Sequence, residues 1–581
     1  MATYNSVGVI FGEAGTYDFK FLISDSTSVH RNEYIKAWHE TDGWVLSQVV
    51  SITRSSDSYS FEEAKHKKRT DKEKSGDKII AEATVIGTRN KLGLLRSPTI
   101  PFRPGDPIYK ADNDLICNVL GLSGDDMYLG YLDGTSIPVK LGVNSLVQKH
   151  CSILAKTGSG KSYTAGVILE ELLDKNIPLL ILDPHGEYHS LKNCAESNSS
   201  FKRYMISPKG YESSVTVYTP ANRVINPSAD ETFRLNELNL SVEDLSAIFE
   251  NISSTHSGIL YEAIDKLKAE MEHYTLDDII FEVKNDKSKA KWHVSRLLEE
   301  LKNSDLLSTN PTHIKDLFRK GKASIIDFKG VSPDMQNMIV ATLCKKLFEA
   351  RKLNKIPPGM VIIEEAHNFA PERGFSKTAS SEIIRTVASE GRKFGLGLMV
   401  ISQRPARIDK NVLSQCGTQI IMKVTNPNDL KSISKGLEGV NSSVEDELMR
   451  LPPGVAMIVS NDIERPILVD IRVKKSEHGG ESVNVLKYAS DSTLEYEQSI
   501  VVDAPFRTQP EPIAQSNVPG MQSDMAIDEN RKLNHRAENN DGDALNNGVQ
   551  IDPIPKRTPS RKIEHKKKKS GLFDKMFGSN K

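Results

Sequence analysis

The sequence predicts an α/β fold in three parts: an all-β barrel, a doubly wound core, and a helical bundle inserted into that core. Three patterns carry this. Residues 1–145 hold short β-rich runs at 7–10, 19–23, 44–50 and 79–86, separated by turn signals such as Asp133-Gly134 and 104–107. From about 150 the apolar runs become continuous instead of alternating, at 178–183, 323–328, 360–364, 396–401, 418–423 and 455–459. Continuous runs indicate strands covered on both faces, hence a sheet between two layers of helices. Between 236 and 307 the spacing is helical, with Ser241 as a cap and Glu243 in the first turn. The expected domains are therefore a barrel at 1–145, a core at 146–235 and 308–475, and a helical insertion at 236–307. A C-terminal extension at 476–504 follows. The final stretch, 505–581, is poor in large apolar groups and ends in Lys566, Lys567, Lys568 and Lys569, so it is expected to stay unfolded. The charged stretch 55–77 reads as a solvated loop, with contact to DNA or a neighbouring subunit as the alternative.

Composition narrows the class. The chain has 581 residues, a net charge of −1 and 38% hydrophobic residues, so no global charge bias announces a partner. Its five cysteines are scattered without a CxxC pair, which argues against a zinc site or a disulfide framework and for a reducing cytoplasm. No basic-then-apolar leader opens the sequence, and no apolar run approaches the roughly 18 residues of a membrane span. A cytoplasmic, membrane-free protein is expected.

The most specific local signal is the run Ala155, Lys156, Thr157, Gly158, Ser159, Gly160, Lys161, Ser162. It follows a short apolar strand at 151–154 and precedes helical spacing at 163–173, which is the context a phosphate-binding P-loop demands. Small residues let successive backbone N–H groups face one concavity, and the helix N-terminus adds partial positive charge. Lys161 would reach the β- and γ-phosphates of ATP, and Ser162 would ligate Mg²⁺. Ala155 replaces the usual first glycine, a position that ends the strand and does not face phosphate.

Hydrolysis needs further groups. Residues 361–365 form a hydrophobic strand ending in two acids, a Walker B pattern: Glu364 is expected to hold the shell of the metal, Glu365 to polarise the attacking water. Gln403, at the tip of the strand 398–402, can sense a γ-phosphate without adding charge. Arg392 is the candidate arginine finger acting across a subunit boundary, with Lys393 or Arg385 as substitutes. The segment 368–378 follows the acids directly. Its Arg373 and Lys377 are candidate sequence-neutral contacts to DNA phosphates.

Five ordered motifs, at 155–162, 183–188, 363–367, 390–397 and 401–405, resemble those of HerA, the DNA translocase and helicase of the FtsK–HerA class. The resemblance spans about residues 1–475. It implies a RecA-like P-loop NTPase core with an N-terminal barrel of the HerA and ATP-synthase type. It further implies a homo-hexameric ring around duplex DNA, and partnership with a NurA-type nuclease in DNA end resection. Asp183 and Glu187 match the second-strand acids of that family; for Asp183 a place near the metal and a structural cap both stay open. A protein-export or conjugation-type motor is the alternative reading, and a nucleotide-switched scaffold a third.

Overall fold

Along Asp18–Ile23 the residues are exposed and buried by turns, the signature of a strand with one face on a core. Six such strands close on one another: Gly8–Ala14, Asp18–Ile23, Asp77–Arg89, Gly43–Ser56, Tyr34–His39 and Pro107–Lys110, each antiparallel to the next and the last pairing back to the first. Closure removes the unpaired edges of the sheet. Phe19, Phe21, Ile35, Val45, Val49, Val85 and Ile108 fill the interior. This computed structural model describes residues 6–25, 28–56, 65, 77–122, 126–249, 252–375, 378–436 and 443–479. Most of the charged stretch 55–77, Lys377, and everything from 480 onward, including the lysine-rich end, lie outside the described residues.

Among the described residues the core is one sheet of twelve strands. In spatial order they are Glu231–Thr232, Val215–Thr219, Ala323–Asp327, Leu179–Asp183, Gly359–Ile363, Leu396–Ser402, Cys151–Leu154, Thr418–Ile421, Val455–Ser460, Ile467–Ile471, Met127–Leu132 and Pro138–Leu141. The first eight run parallel and the rest antiparallel. Every residue of Leu179–Asp183, Ala323–Asp327, Gly359–Ile363 and Leu396–Ser402 is buried. Alternate side chains serve two separate cores. Met360, Ile362, Met399 and Ile401 pack on the side of the helix Lys161–Asp174, whereas Val361, Ile363, Leu398 and Val400 pack with the helices Pro333–Lys352 and Ser381–Phe394. The core is doubly wound.

The barrel is shorter than expected. Strands Met127–Leu132 and Pro138–Leu141, which fall inside the expected 1–145 barrel, extend the long sheet instead, because Met127–Leu132 pairs with Ile467–Ile471. Alternation reveals that a segment is a strand but not which distant strand it joins.

Four helices, Val242–Ile248, Ser254–Glu270, Leu276–Asn285 and Lys291–Asn303, make a bundle with its own core of Leu260, Ile264, Tyr274, Ile279, Val294 and Leu298. Ser241 caps the first through the backbone N–H of Asp244, whose side chain reaches back in a capping box; Thr275 and Asp278 repeat the device. Leu235–Asn236 and Leu307–Ser308 pair in parallel where the chain enters and leaves the bundle.

Candidate nucleotide site

Ligands of open parallel sheets sit beyond the carboxyl ends of the strands, and there the motifs converge. The register sets Leu154 beside Ser402 on one flank and Ile421 on the other, while Ile363 pairs with Val400. The strand ending at Ser402 thus separates the P-loop strand from the strand carrying the acids, and Gln403 emerges between them.

Gly158 and Gly160 hold φ of 75° and 98°, a left-handed backbone that side chains rarely adopt and glycine takes freely. The helix Lys161–Asp174 starts immediately after. Lys156 N–H donates to Lys423 O at 2.9 Å, and Ala155 N–H to Ser402 O at 3.2 Å, tying the root of the loop to both neighbouring strands. Ser159 Oγ donates to Lys156 O at 2.5 Å. Thr157 Oγ1 donates to Gln403 Oε1, so the loop and the strand tip touch directly.

Glu364 is fully buried and extends the sheet ladder, its N–H donating to Leu182 O at 3.1 Å. Its carboxylate receives Lys161 Nζ on one oxygen and the Tyr188 hydroxyl, at 2.9 Å, on the other. Ser162 lies near enough to the Tyr188 hydroxyl to pull its pKa down, which sets the Ser162 side chain and the Glu364 carboxylate around one phenol. Those are hard oxygen donors, the set that suits Mg²⁺ alongside substrate phosphates. Burial pushes the Tyr188 phenol well up, so it stays a neutral donor.

Consecutive side chains of a strand point to opposite faces, so two adjacent acids need a break to serve one site. Glu365 supplies it: its backbone sits at φ 49°, ψ 44°, left-handed for a non-glycine residue. Such a conformation costs about 1–3 kcal/mol and persists where surrounding packing imposes it. Its Oε1 lies 3.4 Å from Lys161 Nζ, and its Oε2 is buried 3.3 Å from His367 Nδ1 without forming a hydrogen bond. His367 Nδ1 is also 3.0 Å from Ser402 Oγ, which accepts the Arg404 N–H at 2.9 Å. Burial holds the His367 imidazole below its ordinary range, hence neutral near pH 7, despite the opposing pull of Glu365. A cleft of about 480 Å³ is lined by Thr157, Gly158, Gly160, Lys161, Ser162, Glu365 and Gln403, together with Tyr163, His185, Glu187 and His478.

Other expected residues lie elsewhere. Asp183 is fully buried and caps a turn: Oδ1 accepts the N–H groups of His185 (3.1 Å) and Gly186 (2.9 Å), and Oδ2 that of Tyr188 (3.0 Å). Of the two readings left open for Asp183, the structure shows the cap, with three amides donating to its two oxygens. Burial raises its carboxyl to about 6, the amide hydrogen bonds opposing. Arg373 is exposed on a loop held by its neighbours: Glu372 N–H donates to Arg407 O at 2.8 Å, and the Arg407 guanidinium stands 5.6 Å from the Phe375 ring centroid.

Arg392 is not at the P-loop of its own chain. It occupies the last turn of Ser381–Phe394, just before Leu396–Ser402 begins, so the seven residues of that strand, roughly 20 Å, separate it from Gln403. Arg385 is engaged with Asp409 at 2.7 Å. Buried His150 pins the end of this helix to the sheet. Its Nδ1 accepts the Leu398 N–H at 3.0 Å, which leaves Nε2–H to donate to Ala388 O at 2.9 Å. Burial, seconded by the Arg392 charge, lowers its pKa to about 4. The unfolded chain accepts a proton that the folded chain refuses, so stability present above pH 6.5 is lost as pH falls toward 4. The full effect is about 3 kcal/mol. Denaturant midpoints compared at pH 7 and pH 5 are expected to fall more for the wild type than for His150→Gln, which cannot take up the proton.

Sequence reasoning missed Tyr188, His367 and His478. The first two stand inside motifs already recognised by their acids, at 183–188 and 363–367; nothing local marks the third.

A P-loop, an acid pair on the next strand but one, and a polar tip between them define the class: a P-loop nucleotide hydrolase, here behind a six-stranded barrel. Residues 127–347 match the family described as Helicase HerA, central domain, and residues 7–91 the HAS barrel domain. A probable helicase of Methanocaldococcus jannaschii is 29% identical over 514 residues, covering 83% of this chain and 93% of that protein. The DNA double-strand break repair helicase HerA of Sulfurisphaera tokodaii is 27% identical over 518 residues, covering 85% and 98%. VirB4 of Thermoanaerobacter pseudethanolicus aligns with a TM-score of 0.45 at 16% identity, covering 60% of this chain and 97% of that one. Residues 127–347 thus match the HerA central domain, and curated HerA helicases are similar to the chain over most of its length.

Proposed function

We propose that this chain is an ATP-driven motor that translocates along duplex DNA and opens it, as a homo-hexameric ring working with a NurA-type nuclease in double-strand break repair. The observation that carries the reading is Glu365, buried, left-handed and bordering the P-loop cleft. With ATP bound, Lys161 moves from Glu364 to the β- and γ-phosphates. Glu364 and Ser162 would hold Mg²⁺, which would neutralise charge on the phosphates. Glu365 orients a water for in-line attack and takes its proton, Gln403 and Thr157 frame the γ-phosphate, and Arg392 completes the pocket of the next protomer. The loop 368–375 links the base to DNA: it leaves the Glu365 turn and is bound to the segment that follows Gln403, so a change at either end reaches Arg373.

Two experiments test this. Linear duplex DNA is expected to stimulate ATP hydrolysis, and Arg373→Glu to remove that stimulation while DNA-free hydrolysis stays. Indifference to DNA would favour a protein-export motor instead. For the finger, Lys161→Ala and Arg392→Ala are each expected to be inactive alone, yet a mixture is expected to recover activity, because some pockets then combine an intact P-loop with an intact neighbour. No recovery on mixing would place Arg392 outside the pocket.

A further inference from the structure

After its last core strand the chain does not leave the ATPase core but runs back along the P-loop helix. Arg472 is completely buried, its Nη1 on Glu170 Oε2 at 2.9 Å and its Nη2 on Glu171 Oε1 at 2.8 Å. Ser476 donates to Glu170 Oε1 from both N–H (2.8 Å) and Oγ (2.7 Å), and Lys475 Nζ bridges Glu171 and Asp174 at 2.9 and 2.8 Å. The stem of Lys474 crosses Gly166 so closely that a Cβ there would fall 2.7 Å from Lys474 Cε. On its other side this strap, residues 472–479, is held by Glu477 N–H donating to Asn193 O at 3.0 Å and by Ala195 N–H donating to Lys475 O at 3.1 Å. A Cβ on Gly479 would lie 2.5 Å from Glu187 O, so the strap is pressed against the wall of the cleft.

The strap delivers His478 to that cleft, where its ring meets Tyr163 edge-on, centroids 5.3 Å apart at 72°. The Tyr163 ring is fixed in turn, since its hydroxyl accepts the Lys474 N–H at 2.8 Å. Lys161, Ser162, Glu365, Thr157 and Gln403 account for the phosphate end. Tyr163 and His478 bring two rings in mutual contact to a cleft whose other lining, the His185 imidazole apart, is glycine and charged, hydroxyl and amide groups, and aromatic faces suit a planar base, not a phosphate.

We propose that Tyr163 and His478 form the nucleobase end of the cleft, so that the strap 472–479 is part of the ATP site and His478 is a base-binding residue. The inference rests on the nucleotide reading above and deepens it. A triphosphate without a base separates the two, so the probes are ATP and inorganic tripolyphosphate, each with magnesium, titrated calorimetrically into the full chain. His478→Ala is expected to weaken ATP about tenfold while tripolyphosphate affinity stays within about twofold, and His478→Phe, which restores an aromatic face, is expected to regain most of the ATP affinity. Equal weakening of both ligands, or of neither, overturns the proposal; so does a Phe variant no better than Ala when both melt like the wild type. Lys161→Ala is expected to lose both ligands. If it binds ATP unchanged, the P-loop reading itself falls.

Discussion

Glu365→Gln is expected to bind ATP as tightly as the wild type and to hydrolyse it about 10²–10⁴ times more slowly, the usual worth of a positioned base. The two side chains are isosteric, so the amide fits the same buried space beside Lys161 and His367. Gln keeps the size and shape of the side chain, so the turn at φ 49° that swings position 365 toward the P-loop is expected to survive. What disappears is an oxygen able to take the proton of the attacking water. Glu364→Gln differs in kind, because Glu364 receives both Lys161 and Tyr188 and its loss disturbs the grip on nucleotide. Calorimetry with ATP, paired with single-turnover hydrolysis, distinguishes the two variants. Wild-type turnover in Glu365→Gln would remove Glu365 from the base role.

Arg472→Ala is expected to be the most destabilising single change outside the hydrophobic core, by about 3–5 kcal/mol. Arg472 and Glu170 are both without exposure, and Glu171 is nearly so. Removing the guanidinium takes from two buried carboxylates of the P-loop helix their shared partner, with Lys474 and Lys475 as the remaining cations. The contrast is Arg296→Ala, whose i,i+4 partner Glu300 is well exposed, as Arg296 itself is. That change is expected to shift stability by less than about 1 kcal/mol, since water and salt already screen the pair. Urea unfolding of the two variants beside the wild type measures the difference; equal effects would mean that the buried network contributes no more than a surface pair.

Much of the site was legible because it is local. The P-loop is a contiguous stretch whose glycines and Lys-Ser pair have one shared purpose, and a hydrophobic strand ending in acids declares where charge meets the sheet edge. The barrel strands were legible by alternation and the core strands by unbroken apolar runs. The segment Met127–Leu132 was not: its partner Ile467–Ile471 lies more than 300 residues downstream, and no pattern in either names the other. Asp183 shows the same limit. An acid at a strand end serves a metal or a turn with equal plausibility, and only the folded chain reveals the three amides that it caps.

By itself, then, the sequence determined the chemistry this protein carries: the phosphate-gripping loop, the acid pair, the polar strand tip and the kinds of layer that hold them. Local composition suffices for that, because each group works through its own side chain or its immediate backbone. Tertiary structure decided which groups meet. It turned Glu365 toward the P-loop, set Arg392 at the far edge of the sheet from its own nucleotide cleft, and folded residues 472–479 back along the P-loop helix to deliver His478. Those outcomes depend on strand order and on burying charges from distant parts of the chain against one another, energies that exist only once the chain has closed.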